Sequence, residues 1–376
     1  VKIVLAPDKF KNSLTAMEFC LAVESGIKQL RSDIEIVKLP LADGGDGTIE
    51  VVNYYLKGQK IIVEVNNPFF KPVKACYLYS ESTRTAFIEM AEASGMKLLK
   101  EEEFDCKNAT TYGTGEMILD AMNKGVNKII LGLGGSATND CGIGMASALG
   151  YRFLDKNHMP IKPIGANLSK IISINRDEVV PKLSQVQFQI ACDVTNPLYG
   201  KEGAAHTYAA QKGATAQDIK MLDKGLQDFS AIIQTTFGMD PQIIKGAGAA
   251  GGMGIGSKIF LNGTLEPGIE LIKSLAHFDE KVKNADWIIS GEGKLDDQTL
   301  LGKTILGVTK VAKANNMKVA VFCGMIELTE NAIDDFNILY ADEVIKYALN
   351  TKDAMDNAGS YIKEMVEAFV RKFLST

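Results

Sequence analysis

The sequence predicts an α/β protein, a doubly wound parallel sheet interrupted by a second, mixed α/β domain. Three observations predict it. Short apolar runs alternate with amphipathic helical stripes at both ends of the chain. The middle instead carries consecutive strand-like runs joined by turns such as Asn66-Asn67-Pro68. Glycine-rich turns bearing acidic, basic or hydroxyl residues follow several strands, where open α/β sheets hold their ligands.

The first element is a strand at Lys2–Ala6. Thr15-Ala16-Met17-Glu18 has the pattern of a capping box, and Phe19, Ala22, Val23, Gly26, Ile27 and Leu30 then form an apolar stripe at helical spacing. A strand at Glu35–Leu39, a turn at Ala42–Thr48 and a helix near Ile49–Leu56 complete a βαβα start. Ile61–Val65, Val73–Tyr79 and Thr85–Met90 read as consecutive strands. After them come a helix (Thr114–Asn123), a strand (Lys128–Leu131), a glycine loop from Gly132 and another helix. Gln187–Ala191 is a further strand, and Thr215-Ala216-Gln217-Asp218 opens a helix near Ile219–Thr236.

The far end repeats the opening pattern. Asp286–Ser290 reads as a buried strand leading into a turn at Gly291, followed by a helix (Thr304–Asn315) and a strand (Lys318–Cys323). Another helix, a strand near Glu343–Ala348 and a long amphipathic helix, Asp353–Leu374, close the chain. The two ends together supply five short strands, enough for one doubly wound sheet made from two separated pieces. The expected domains are therefore residues 1–58 with 280–376, and an inserted domain over 59–279. Two sequential domains divided near 150 or 240 are the alternative, because no Pro/Ser-rich linker marks a border.

Bulk properties narrow the function. With 376 residues the chain is long for one core. Its 46% hydrophobic and 23% charged residues are those of a globular protein. A net charge of −5 argues against a general nucleic-acid binder. No apolar run reaches the roughly 18 residues of a membrane helix. The sequence enters a strand at once, so no signal peptide is expected. Its six cysteines form no C-x-x-C pair, which points away from structural zinc and towards a reduced, cytoplasmic setting. The only histidines, His158, His206 and His277, lie in no nucleophile motif.

The turns carry the chemistry. Glycines let backbone N–H groups converge on an anion, while neighbouring acids make sense if a divalent metal lies between acid and phosphate, or if one acid is a base. Asp8, Lys9 and Lys11 follow the first strand and are placed to meet substrate; a solvated turn capped by Ser13 is the plain alternative. Asp43 and Asp46 flank Gly44-Gly45 after the second strand. Gly132-Leu133-Gly134-Gly135-Ser136-Ala137-Thr138-Asn139-Asp140 lies between strand and helix, a phosphate-cradling context. Gly246 through Gly252 contains a literal G-x-G-x-x-G with no clear strand before it, so phosphate contact and close backbone packing both fit. Asp193 follows the Gln187–Ala191 strand, as a base or metal ligand in an interdomain cleft or as an Asx turn before Pro197. Gly291-Glu292-Gly293-Lys294-Leu295-Asp296 precedes Gln298, Thr299, Gly302 and Lys303; with Asp297 at the first glycine position this is not a Walker A loop, and Lys303 otherwise reads as an exposed helix residue.

Taken together, these motifs resemble the type I glycerate kinases of bacteria, in motif order and over nearly the whole chain. The matching stretches are Ala6-Pro7-Asp8 with Phe10-Lys11, Ala42–Thr48, Gly132–Asp140, Ala191-Cys192-Asp193 and Asn196-Pro197-Leu198 with Gly200. They continue through Gly203-Ala204-Ala205, Gln211-Lys212-Gly213-Ala214, Gly248–Gly252, and Gly291-Glu292-Gly293 with Asp296, Gln298-Thr299 and Gly302-Lys303. The resemblance implies ATP, Mg²⁺ and D-glycerate as ligands and a phosphoglycerate as product. It also implies a flavodoxin-like domain interrupted by a second α/β domain, with the active site between them. Departures include Lys9 for a usual serine, Asn12 for glycine, Asp46 for glutamate, Cys141 for glycine and Lys294 for arginine. Thr207-Tyr208-Ala209-Ala210 is also looser than the family's phenylalanine-glycine-proline run. None removes an acid expected to be catalytic.

The expected reaction is therefore transfer of the γ-phosphoryl of ATP to a hydroxyl of D-glycerate, giving 2-phosphoglycerate ahead of 3-phosphoglycerate. The expected base is Asp193, with Asp43 as second candidate, and Lys11 pairs with the phosphoryl group or the glycerate carboxylate. Asp8, Lys9, Gly134, Gly135, Ser136, Thr138, Asn139, Gly251, Gly252 and Lys303 are the expected substrate- and phosphate-binding residues. Glu292 and Asp296 face the metal, with Asp8 as a further candidate. Two rivals stay open. One is an NAD-dependent dehydrogenase using the Gly132 loop, whose G-x-G-x-x-A pattern has Asp155 about twenty residues on. The other is a catalytically silent nucleotide-binding protein.

Overall fold

The computed structural model describes residues 1–43, 47–296, 304–329, 333 and 335–374. The chain forms two compact units, Val1–Tyr55 with Gly268–Thr376, and Leu56–Pro267. The first segment carries strands β1 (Lys2–Leu5) and β2 (Glu35–Lys38). The second unit carries β3 (Gln59–Asn66), β4 (Pro72–Ser80), β5 (Thr85–Glu89), β6 (Lys128–Gly132), β7 (Arg152–Leu154), β8 (Ser173–Asn175), β9 (Gln187–Ala191) and β10 (Thr264–Glu266). The chain then returns with β11 (Trp287–Leu295), β12 (Lys318–Ile326) and β13 (Ile338–Glu343).

In the first unit the strands form one parallel sheet in the order β2-β1-β11-β12-β13. Counted along the unit, that is 2-1-3-4-5, the flavodoxin-like order, whose switch point lies between the first and third strands. Ile3, Leu5, Trp287, Ile289, Ala320 and Phe322 of the sheet join Phe19, Val23 and Ile27 of helix Ala16–Leu30 in one buried cluster. Ile362, Met365, Val366 and Phe369 of helix Ala358–Phe373 belong to the same cluster. Gly26 brings these two helices together: a Cβ there would lie 3.0 Å from Val366 Cγ1. The capping box forms as read, with Thr15 Oγ1 accepting from the Glu18 N–H and Glu18 accepting from the Thr15 N–H. Leu30, the last residue of the predicted stripe, is exposed at the helix end.

Several boundaries differ from the sequence reading, three of them for a reason visible in the structure. The Gly291 segment is not a turn: β11 runs on to Leu295, paired with β12 through Leu295↔Ile326. Gly291 serves close packing there, since a Cβ would lie 2.5 Å from the Phe322 carbonyl oxygen and 2.6 Å from the Phe19 ring. The last strand lies at Ile338–Glu343, ahead of the expected Glu343–Ala348, and Val344–Lys346 is a 3₁₀ turn. The final helix is two, Thr351–Asp356 and Ala358–Phe373, because Asn350 caps the first and the chain breaks at Asn357.

The second unit has a six-stranded mixed sheet, ordered β10-β9-β6-β5-β4-β3. β3, β4 and β5 are an antiparallel meander, and β5, β6, β9 and β10 pair in parallel. β7 and β8 form a separate antiparallel pair. Phe153, Phe188, Phe229 and Phe260 anchor its core, the Phe153 and Phe260 rings meeting edge-on at 5.6 Å. Helix Ala216–Phe237 starts at a Thr215–Asp218 capping box and ends at Gly238, whose φ of 69° suits a glycine C-cap. Among the described residues no helix is long and apolar enough to cross a membrane.

Candidate active site

In the first unit, a pocket of about 500 Å³ lies beyond the carboxyl ends of β1 and β11, at the switch point. It brings together Asp8, Lys9, Lys11, Asp43 and Glu292, with Met325, Ile345 and Met355 among its apolar walls. The backbone of Asp8 continues the β1–β11 pairing by donating to the Gly291 carbonyl at 2.8 Å. Its Oδ2 accepts from Thr304 Oγ1 at 2.6 Å, and its Oδ1 accepts from the Lys9 N–H. Burial raises the Asp8 carboxyl to about 6, with the neighbouring Asp43 charge adding to the rise against the Thr304 hydrogen bond. Glu292 is buried, whereas Lys11 and Lys294 are exposed. Lys294 bridges Glu327 at 2.8 Å and Asp296 at 3.6 Å.

In the second unit, three parallel strands end side by side, with Glu89↔Gly132 and Gly132↔Ala191 in register. The Gly132 loop and the Asp193 segment thus leave the sheet as neighbours. Gly134 and Gly135 are exposed at the tip of the loop, while Ser136, Thr138, Asn139 and Asp140 are buried. Asp140 accepts from Thr111 N, Thr111 Oγ1, Gly142 N and Gly144 N, so it braces the loop. Gly251 and Gly252 are buried behind it; a Cβ on Gly251 would lie 2.2 Å from the Thr138 carbonyl oxygen. Ala250, Gly251 and Gly252 all have positive φ, which turns the chain sharply against the loop. Gly246 packs the same way on Cys192 and Val194, on either side of the exposed Asp193.

Two sequence readings change in this geometry. The helix after the Gly132 loop begins only at Ile143 and spans six residues, so it offers no helix N-terminus for an anion. Asp155 sits in a turn after β7, accepting from Asn157 N and Met159 N, and β7 pairs only with β8 outside the parallel sheet. A dinucleotide fingerprint would need that acid at the end of the neighbouring parallel strand, so the dehydrogenase reading loses its support. Lys303, with Gly44, Gly45, Asp46, Gln298, Thr299 and Gly302, lies outside the described residues.

Among the described residues no three His, Cys, Asp or Glu side chains converge to hold a metal ion. The pocket nonetheless suits Mg²⁺. Asp8, Asp43 and Glu292 present only hard oxygen donors, and this ion is usually held by one or two carboxylates with phosphate and water completing its shell. The motif reading gave no role to two residues. Thr304, the hydrogen-bond partner of Asp8, reads only as the first residue of a helix. Lys212, which holds Ser136 Oγ at 2.6 Å and the Thr138 carbonyl at 2.9 Å, sits in an Ala/Gln/Gly run without periodicity.

Comparison with known proteins agrees with these motifs. Residues 3–374 match the model of the glycerate kinase family. A glycerate kinase of Halalkalibacterium halodurans is 41% identical over 96% of this chain and 95% of its own. The glycerate 2-kinase of Escherichia coli K12 is 39% identical over 87% of this chain and 86% of its own. The crystal structure of a protein assigned as glycerate kinase 2 from Salmonella typhimurium LT2 superposes with a TM-score of 0.89 at 38% identity, covering 100% of this chain and 98% of the other.

Proposed function

Because the chain belongs to the glycerate kinase family, we propose that it transfers the γ-phosphoryl group of ATP, with Mg²⁺, to the 2-hydroxyl of D-glycerate, giving 2-phosphoglycerate. The observation that carries this reading is the switch-point pocket, where acids and lysines meet above a flavodoxin-like sheet. The name of the Escherichia coli relative, glycerate 2-kinase, favours the 2-hydroxyl over the 3-hydroxyl.

Phosphoryl transfer is mostly positioning and charge neutralisation. Asp193, exposed past the end of β9, is the proposed base that accepts the hydroxyl proton, with Asp43 as the second candidate. Lys11 is free to swing towards the transferring phosphoryl or the glycerate carboxylate, being exposed on the pocket rim. Lys9 neighbours Asp8 and offsets its charge. Asp8, Glu292 and Asp296 are the proposed metal-side acids; bound there, Mg²⁺ would neutralise developing charge on the phosphate oxygens. The Gly134 and Gly135 amides with Ser136, Thr138 and Asn139 are the proposed phosphate cradle, and Gly251 and Gly252 back it. Lys303 remains a proposed phosphate contact from the sequence motif alone. Its small-molecule ligands and six free cysteines fit a cytoplasmic enzyme.

The test is ADP release from ATP and Mg²⁺ with and without D-glycerate, followed by ³¹P NMR of the product. Glycerate-dependent ADP with the 2-phosphoglycerate resonance is expected. Turnover giving only 3-phosphoglycerate would overturn the regiochemistry, and ADP formation independent of glycerate would overturn the acceptor.

A further inference from the structure

We propose that the Lys212 ammonium, with Ser136 Oγ and the Thr138–Asn139 segment, is the cationic floor of an oxyanion site that receives a phosphate or carboxylate group of a substrate. This rests on the phosphoryl-transfer reading and supplies a charge that the glycine loop lacks, since Gly132–Asp140 contains no lysine or arginine.

The first observation is a buried cation with no carboxylate in contact with it. Lys212 is only 3% exposed. Its Nζ donates to a hydroxyl, Ser136 Oγ, and to a carbonyl, that of Thr138. Both partners are neutral, and among the described residues no carboxylate oxygen lies within 4.0 Å of the ammonium. Two titratable groups face it. Burial pushes the Cys106 thiol up to about 11, so it is uncharged at neutral pH. Asp140 acts on the ammonium through space and raises its pKa, but spends its hydrogen bonds on four other donors and makes no contact with it. An ammonium left in this state is costly, and burial draws Lys212 down to about 8.

The second observation is independent of charge. Thr138 Oγ1, Asn139 Oδ1 and Asn139 Nδ2 are buried without a hydrogen-bond partner. Folded proteins leave few such atoms, and each asks for an explanation. Here they belong to the two residues that flank the peptide carbonyl held by Lys212, in the same loop as the exposed Gly134-Gly135 tip. The Lys212 ammonium, the Thr138 hydroxyl and the Asn139 Nδ2 amide are donors lacking a full set of acceptors, and a bound oxyanion would supply one. A lysine serving only as a loop pin would need no such acceptor.

The two roles differ in proton linkage. An anion arriving near Lys212 stabilises its charged form, so binding takes up protons near pH 8. The wild-type enzyme is titrated calorimetrically at pH 8 in two buffers of different ionisation enthalpy, with Mg·ADP in one arm and D-glycerate in the other. Both ligands are fully ionised there. Uptake of about half a proton per site is expected in one arm. The Mg·ADP arm would identify a phosphate, and the D-glycerate arm a carboxylate. Lys212→Arg, charged at every pH, is expected to lose the uptake and bind within about tenfold. Lys212→Met is expected to raise Kd at least about tenfold for the same ligand and less than about threefold for the other. No uptake in either arm, in an enzyme that turns over D-glycerate, overturns the proposal and leaves the kinase reading intact. Uptake that persists in Lys212→Arg overturns it as well, because another group then carries the proton. Absence of glycerate-dependent ADP formation in the wild type would instead sink the kinase reading itself.

Discussion

Thr304 Oγ1 donates a 2.6 Å hydrogen bond to Asp8 Oδ2 across almost the full length of the chain, tying the start of helix Thr304–Ala314 to the end of β1. This bond opposes the burial and the Asp43 charge that together lift Asp8 to about 6. A carboxyl whose native pKa lies above its unfolded value near 4 keeps its proton longer in the folded state. Stability therefore falls as pH rises from about 4 to about 6 and stays lowered above that. Asp8→Asn, measured free of divalent cations at pH 7.5, is expected to raise stability by about 1–3 kcal/mol while lowering kcat/KM at least about 100-fold. Denaturant unfolding at pH 4 and 7.5 checks it: equal effects at the two pH values would refute the linkage.

Thr304→Val tests the same pair from the other side. Loss of the hydroxyl removes the strongest interaction holding Asp8 down, so its carboxyl rises further. The acid limb of the kcat/KM–pH profile is expected to move up by about half a unit to one unit. A profile that only drops in height, with its limb unmoved, would show that Thr304 does no more than pack.

How far these relationships could be read from sequence depends on what kind of signal they leave. β9 was legible at both ends, Gln187 and Ala191, because a short apolar alternation stood between turn residues. The Thr15 and Thr215 caps were legible because capping chemistry is local. Gly291 misled, because a glycine admitting a phenylalanine ring beside a strand has the same letter as one making a turn. β13 was displaced for a related reason: Asn337 adopts a positive φ just before it, a start that no motif marks. Within the candidate site, the loops after β1, β6 and β9 could be found from strand ends and glycines. The bonds made by Thr304 and Lys212 could not, because an inward-pointing side chain carries no pattern of its own.

Gly251 supports a prediction about packing. Its φ of 72° and the 2.2 Å separation of a Cβ from the Thr138 carbonyl penalise alanine twice. Gly238 has a similar φ of 69° but open space around it. Gly238→Ala is expected to cost about 1 kcal/mol, the backbone penalty alone. Gly251→Ala is expected to cost at least about 2 kcal/mol more, and to raise substrate KM by displacing Thr138 and Asn139. Equal unfolding free energies for the two variants would show that the loop yields freely.

Thr15→Ala separates stability from function. The Thr15–Glu18 capping box satisfies two N–H groups of helix Ala16–Leu30, and its loss is expected to cost about 1 kcal/mol. The midpoint of thermal unfolding should fall by a few degrees, with kcat within about twofold of wild type, because the helix keeps its buried face. A large loss of turnover at unchanged stability would place this cap in the reaction instead.

The assignment of the base rests on position. Asp193 lies two residues past the end of β9, exposed, beside the loop that leaves β6. A base is needed only as the hydroxyl proton departs, so its removal should strike turnover and spare binding. Asp193→Asn is expected to lower kcat by about 10²–10⁴-fold with KM for ATP and D-glycerate within about threefold. Asp43→Asn distinguishes the second candidate: it lines the pocket with Asp8, and a metal-side role predicts a higher KM for Mg·ATP that excess Mg²⁺ partly restores. If Asp43→Asn instead abolishes turnover at unchanged KM while Asp193→Asn turns over normally, the proton goes to Asp43 and the exposed acid after β9 has no part in the chemistry.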